Sequence, residues 1–176
     1  MTVDHDWLKD HIRDIPDFPQ PGIIFKDISP LLADVTAFRG TVHALAVHFE
    51  SAGVDRVVGI EARGFILGAP VAYELGAAFV PVRKPGKLPH EIEFQEYALE
   101  YGTDTLEIHR DAVGTGHRVA IIDDVLATGG TAAATAGLIA KVGGNVVGMA
   151  FLMELAFLDG RSKLDGHDIM SLLTYD

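Results

Sequence analysis

Two adjacent carboxylates, Asp123 and Asp124, close an apolar run and are followed at once by a turn of hydroxyls and glycines in RVAIIDDVLATGGTAAATAG, residues 118–137. Gly129 and Gly130 let the backbone approach a ligand closely and take positive φ where a turn needs it. Thr128 and Thr131 supply hydroxyls, and a helix beginning after them presents free N–H groups at its positive end. That combination is a cradle for a phosphate. It is neither a P-loop, since no Gly-Lys-Ser/Thr follows the glycines, nor a Gly-x-Gly-x-x-Gly dinucleotide fingerprint. The paired carboxylates just before the turn accept hydrogen bonds from vicinal hydroxyls. A ribose 5-phosphate therefore fits the stretch better than a bare phosphate.

Two further turns carry complementary charge. EARG, residues 61–64, and RKPGK, residues 83–87, each follow a short apolar run and hold Arg63, Arg83, Lys84 and Lys87. Such a cluster is conspicuous in a chain with 14 lysines and arginines against 25 acids and a net charge of −11. The same balance argues against non-specific DNA or RNA binding, which needs a basic face. The chain has no cysteine, so disulfides and thiolate metal sites are excluded. Its eight histidines show no ligand spacing. The acidic, amphipathic start MTVDHDWLKDHIRD and the lack of any run near ~18 apolar residues point to a cytoplasmic protein.

These turns must be carried by strands. Arg56–Ile60, the AAFVPV run, Val119–Ile122 and NVVGMAFLMEL read as buried strands. Helices are expected over roughly His5–Arg13, from a cap at Asp34 to Gly53, over Phe65–Leu75 ended by Gly76, and over Thr131–Val142. Strands alternating with helices define an α/β domain with a mostly parallel sheet, in which ligands gather at the carboxyl ends of strands. Four prolines in IPDFPQPGIIFKDISPLL favour an extended, turn-rich segment. Residues 90–113 are polar and alternating around a Gly-Thr-Asp turn, as expected of an exposed hairpin inserted between core strands and able to act as a lid. Chain length fits one domain over residues 1–176.

VAIIDDVLATGGT, residues 119–131, resembles the phosphoribosyl-diphosphate motif of type I phosphoribosyltransferases. PDFPQPGIIFKDISPLL, EARGFILGAPVA, PVRKPGKLP and LEYGTDTLEIHRDAV are similar, in order, to members of that family that act on adenine, so the likeness runs from about Ile15 to Tyr175. It implies the type I fold with a small N-terminal hood over residues 1–33 and a flexible catalytic hairpin over residues 90–113. It implies a reaction of adenine with 5-phosphoribosyl 1-diphosphate to AMP and diphosphate, as purine salvage by a homodimer, with Mg2+ bridged by substrate oxygens rather than held by protein ligands. Ala127, Thr128, Gly129, Gly130 and Thr131 then hold the 5-phosphate, and Asp123 and Asp124 hold the ribose hydroxyls. Ala62, Arg63, Arg83, Lys84 and Lys87 take the diphosphate, with some of Arg83, Lys84 and Lys87 supplied by the partner subunit; in such family loops the peptide before the small residue, here Glu61–Ala62, is often cis. Glu100 handles the proton on the purine N7 side, and Tyr101 covers the closed site. Backbone groups of Ile24 and Lys26 read the adenine edge, while Phe25 stacks on the base or packs into the core. Lys26 stands where many relatives carry arginine. The alternatives are another purine specificity (xanthine, hypoxanthine or guanine) and a phosphoribosyl-diphosphate-sensing regulator, which the acidic composition disfavours.

Overall fold

The computed structural model describes residues 5–98 and 102–176. Its centre is a five-stranded sheet in the order β4-β3-β7-β8-β9, formed by β3 (Arg56–Ile60), β4 (Ala78–Val82), β7 (Arg118–Leu126), β8 (Asn145–Leu155) and β9 (Ile169–Tyr175). Every pairing within it is parallel. Side chains along a strand alternate between faces, and the two cores divide accordingly. Val57, Ala120, Ile122, Ala150 and Leu152 pack on one face against α1 (Ser29–Ala33), α2 (Val35–Val47) and α3 (Arg63–Leu75). Val58, Ile60, Ile121, Met149 and Phe151 pack on the other against α4 (Gly130–Lys141).

Outside the main sheet lie two antiparallel pairs. β1 (Arg13–Pro16) and β2 (Ile24–Asp27) form the proline-rich hairpin, with a cis bond at Phe18–Pro19. β5 (Ile92–Ala98) and β6 (Thr103–His109) pair in register from Ile92↔His109 to Ala98↔Thr103, and Leu106 and Ile108 are buried in the α4-side core.

Local chemistry sets the boundaries. The Asp34 carboxylate accepts the N–H groups of Thr36 (2.9 Å) and Ala37 (2.8 Å), the N-cap expected for α2. Gly76, at φ +66°, ends α3 in a left-handed turn. Four boundaries differ from the sequence-based expectation. The first helix is a 3-10 turn over Asp6–His11, because Arg13 and the residues after it are drawn into the β1–β2 pairing. α2 stops at Val47 rather than reaching Gly53. α3 starts at Arg63, leaving only Glu61 and Ala62 in the connection. β7 continues past Ile122 through both aspartates to Leu126, and β9 joins the sheet as an unanticipated edge strand.

Candidate active site

The site lies at the carboxyl end of β7. β3 pairs with β7 only as far as Gly59↔Ile122, whereas β8 accompanies it to Leu126↔Glu154. Beyond Ile122 the β3 side of the strand is therefore open, and the first turn of α3 fills part of the gap. Gly64 packs there so tightly that a Cβ on it would sit 2.7 Å from Asp123 Oδ1 and 3.0 Å from the Ile122 carbonyl. No other residue type fits beside Asp123 without displacing it.

The adjacent acids differ in their partners. Asp124 is 5 % exposed and accepts a 2.5 Å bond from Arg63 Nε. Asp123 accepts the Asp124 N–H at 3.0 Å. Burial, followed by the neighbouring charge of Asp124, pushes the Asp123 carboxyl well above the ordinary aspartate range. Gly129 follows at φ +76°, and α4 begins at Gly130 with no side-chain N-cap among the described residues. The opening N–H groups of α4 are thus available to an anion.

The cations of the neighbouring turns are matched by acids. Glu61, 11 % exposed at its side chain, accepts Lys87 Nζ (2.5 Å) and the Lys84 backbone N–H (2.8 Å), with Arg83 Nε at 3.4 Å. Burial alone would raise the Glu61 carboxyl, but these donors outweigh it and hold it below its ordinary value. Lys84 Nζ is ion-paired with Asp104 on β6 and reaches Tyr97 Oη on β5 at 3.4 Å. Desolvation opposes the Lys84 charge, yet the bond to Asp104 prevails and raises its pKa; the same bond lowers that of Asp104. The Glu61–Ala62 peptide is cis.

Two cavities share this wall. One, of about 240 Å³, is lined by Arg63, Lys84, Asp123, Asp124 and the Ala127–Gly129 turn. The other, of about 150 Å³, is lined by Ile24, Phe25, Lys26, Met153 and Leu155. Arg63, Asp124, Val125 and Ala127 border both. Phe25 is not a core residue: half-buried, it meets Phe18 edge-to-face at 5.2 Å and lies under the Arg63 guanidinium at 5.4 Å. The Lys26 ammonium turns away to Asp14 (2.6 Å) and the Tyr175 ring (4.1 Å). A larger cavity, of about 680 Å³, lies between α2 and α3 and touches none of these groups.

The structure thus brings together Ala62, Arg63, Lys84, the acid pair and the Ala127–Thr131 turn around one cavity, with Arg83 and Lys87 joined to it through Glu61. It places Ile24, Phe25 and Lys26 around the other. Glu100 and Tyr101 lie outside the described residues. Tyr97, Asp104 and Gly64 were missed by sequence reasoning. Tyr97 and Asp104 face each other across the hairpin, a pairing that the alternation of residues 90–113 would have indicated once the hairpin register was fixed.

Residues 35–172 match the phosphoribosyl transferase domain. The chain belongs to the phosphoribosyltransferase family. Within it, the chain is 59 % identical to the adenine phosphoribosyltransferase of Solibacter usitatus over 96 % of its own length and 98 % of the relative's. The crystal structure of the enzyme of that name from Thermoanaerobacter pseudethanolicus superposes with a TM-score of 0.94 at 57 % identity, covering 97 % of this chain and 99 % of that one. The Saccharomyces cerevisiae adenine phosphoribosyltransferase, solved with adenine and an imino-altritol bisphosphate, gives a TM-score of 0.90 at 42 % identity, covering 95 % and 97 %.

Proposed function

We propose that the protein is an adenine phosphoribosyltransferase, joining N9 of adenine to C1 of 5-phosphoribosyl 1-diphosphate to give AMP and release diphosphate. The observation that carries this reading is the pair of cavities meeting at Asp124 and Arg63. A phosphate turn and a cation cluster border one and an apolar hood borders the other, as a reaction joining a sugar phosphate to a flat base requires. The 59 % identical relative bears the same name.

In this reading the 5-phosphate sits on the Ala127–Thr131 turn, where α4 presents its N-terminus. Asp123 and Asp124 accept the ribose hydroxyls, and their charge favours the positive ribose formed as the C1–O bond breaks, as in glycoside cleavage. Arg63, Arg83, Lys84 and Lys87 neutralise the departing diphosphate. Their acid partners Glu61, Asp104 and Asp124 hold them beside the cavity. Mg2+ suits diphosphate oxygens, as a hard cation that keeps few protein ligands. Among the described residues no group of three or more His, Asp or Glu side chains converges to hold a metal.

In this reading the described part of residues 1–33 serves as the hood and that of residues 90–113 as the closing hairpin. Phe25 stacks on adenine while the Ile24 and Lys26 backbone reads its edge. The engagement of the Lys26 side chain with Asp14 and Tyr175 supports a backbone role there. Glu100 accepts or shares the N7 proton as N9 attacks, and Tyr101 shields the closed site from water. The setting is cytoplasmic; no helix among the described residues is long and apolar enough to cross a membrane.

Purified protein with Mg2+ is expected to convert adenine and phosphoribosyl diphosphate to AMP, and comparable turnover of guanine would overturn the specificity. In the same assay Glu100→Ala is expected to lower kcat by about 10²-fold or more, the usual weight of a general acid–base group. Near-normal turnover would remove Glu100 from the mechanism.

A further inference from the structure

Glu154 is a buried carboxylate outside the groups assigned above, only 6 % exposed. It lies near the end of β8, paired with Leu126, the residue immediately before the phosphate turn. Arg161 grips it with a fork: Nε donates to Oε1 at 2.8 Å and Oε2 at 2.9 Å, and Nη2 donates to Oε2 at 2.7 Å. The same guanidinium reaches β9 through the Ile169 carbonyl (3.1 Å) and Ser171 Oγ (3.4 Å). Arg161 is therefore fixed to the ends of two sheet strands at once.

Its chain neighbour is Gly160, whose backbone lies directly against the phosphate turn. A Cβ on Gly160 would collide with the Ala127 carbonyl oxygen and sit 3.0 Å from the Gly129 nitrogen; one on Gly129 would collide with the Gly160 carbonyl oxygen. Two backbones thus meet with no room for a side chain between them. Asp159, a non-glycine residue at φ +51°, sets the approach, and its carbonyl accepts Ser162 N (3.3 Å) and Oγ (2.7 Å). An ion pair whose arginine is 45 % exposed adds little stability by itself, but its fork geometry fixes position.

We propose that Glu154 and Arg161 are positioning residues for the sugar-phosphate turn. Their fork presses Gly160 against Ala127 and Gly129, so that the backbone N–H groups of the turn are held where the 5-phosphate will lie. This rests on reading that turn as the 5-phosphate site. Preorganised donors lose much of their effect when displaced by as little as an ångström.

The test compares Glu154→Gln, Arg161→Lys and Gly160→Ala with the unaltered protein, by calorimetric titration of ribose 5-phosphate and by steady-state kinetics in both substrates. Gln keeps the shape but not the charge, Lys keeps the charge but not the fork, and the glycine change acts on the contact without touching the pair. All variants that fold are expected to raise the ribose 5-phosphate Kd and the phosphoribosyl-diphosphate KM by about tenfold or more, with the adenine KM nearly unchanged. A loss of kcat alone, with Kd and both KM values preserved, would mean that the pair only supports folding and would overturn the proposal. So would equal weakening toward both substrates. If Glu154→Gln does not fold, the lysine and alanine variants decide. Failure of the unaltered protein to bind ribose 5-phosphate would overturn the sugar-phosphate reading itself and this proposal with it.

Discussion

Adjacent in sequence, Asp123 and Asp124 face different partners. Asp124 has a guanidinium at 2.5 Å, while Asp123 is left with a carboxylate neighbour and a desolvated position that raise its pKa. A carboxyl whose folded pKa is raised binds its proton more tightly in the folded state, so stability falls as pH rises through that raised value. Below the ordinary value of 3.8 the favourable contribution is complete, and it diminishes as pH rises above the raised folded value. Asp123→Asn, which cannot ionise, is therefore expected to have a higher Tm than the unaltered protein at pH 7, with the gap closing toward pH 3.5. Its kcat is expected to fall by roughly 10²-fold, as for removal of one preorganised electrostatic group. Thermal melts across pH with parallel assays check both, and a lower Tm at pH 7 would refute the sign. The motif carrying this chemistry was legible in the sequence because it is local: acids, hydroxyls and glycines lie within a few residues. Arg161 was not legible, since its partner is a β8 carboxylate and its effect falls on a turn more than thirty residues earlier.

At the scale of elements, the site exists because β7 outruns one neighbour and keeps the other. The expectation that the strand stops at Ile122 followed from the polarity of the aspartates, which read as a turn. Pairing with β8 as far as Glu154 holds the backbone extended instead, and the polar side chains are satisfied by Arg63 and by the cleft. At the N-terminus, pairing of β1 with β2 from Arg13 onward likewise ends the helical segment. β9 escaped notice because it is an edge strand with mixed burial and no turn chemistry to announce it. Gly64 is where α3 meets the exposed flank of β7. Gly64→Ala would place a methyl 2.7 Å from Asp123 Oδ1 and 3.0 Å from a backbone carbonyl, and the carbonyl cannot move without shifting β7. The expected cost is about 1–3 kcal/mol of stability, with a larger proportional loss of kcat/KM, because the displaced group is the one proposed above to hold ribose. Denaturant melts and kinetics would show this; full activity would mean that Asp123 tolerates displacement.

For the whole molecule, a net charge of −11 surrounds a site built to bind a polyanion. Mobile ions screen the surrounding acidity over roughly a Debye length of 8–10 Å, and the cations at the site are held locally by Glu61, Asp104 and Asp124. The surface along α2 and α3 is different in kind. Along α3, Ile66, Pro70 and Tyr73 fall on one helical stripe, and Tyr73 is 90 % exposed; Val35 at the start of α2 is 70 % exposed. With the groove between α2 and α3, they form an apolar surface that water covers poorly. A homodimer, which the family resemblance implies, would cover it with the same stripe of a second copy, the self-complementary arrangement of a two-fold interface. Sedimentation is expected to give twice the 18.9 kDa chain mass. Tyr73→Glu should place two like charges in such an interface and shift the protein toward monomer. If cations reach the site from the partner, the dissociated variant should lose phosphoribosyl-diphosphate affinity although Tyr73 touches no substrate. A monomeric variant with unchanged KM would show that each chain supplies all of its own diphosphate ligands.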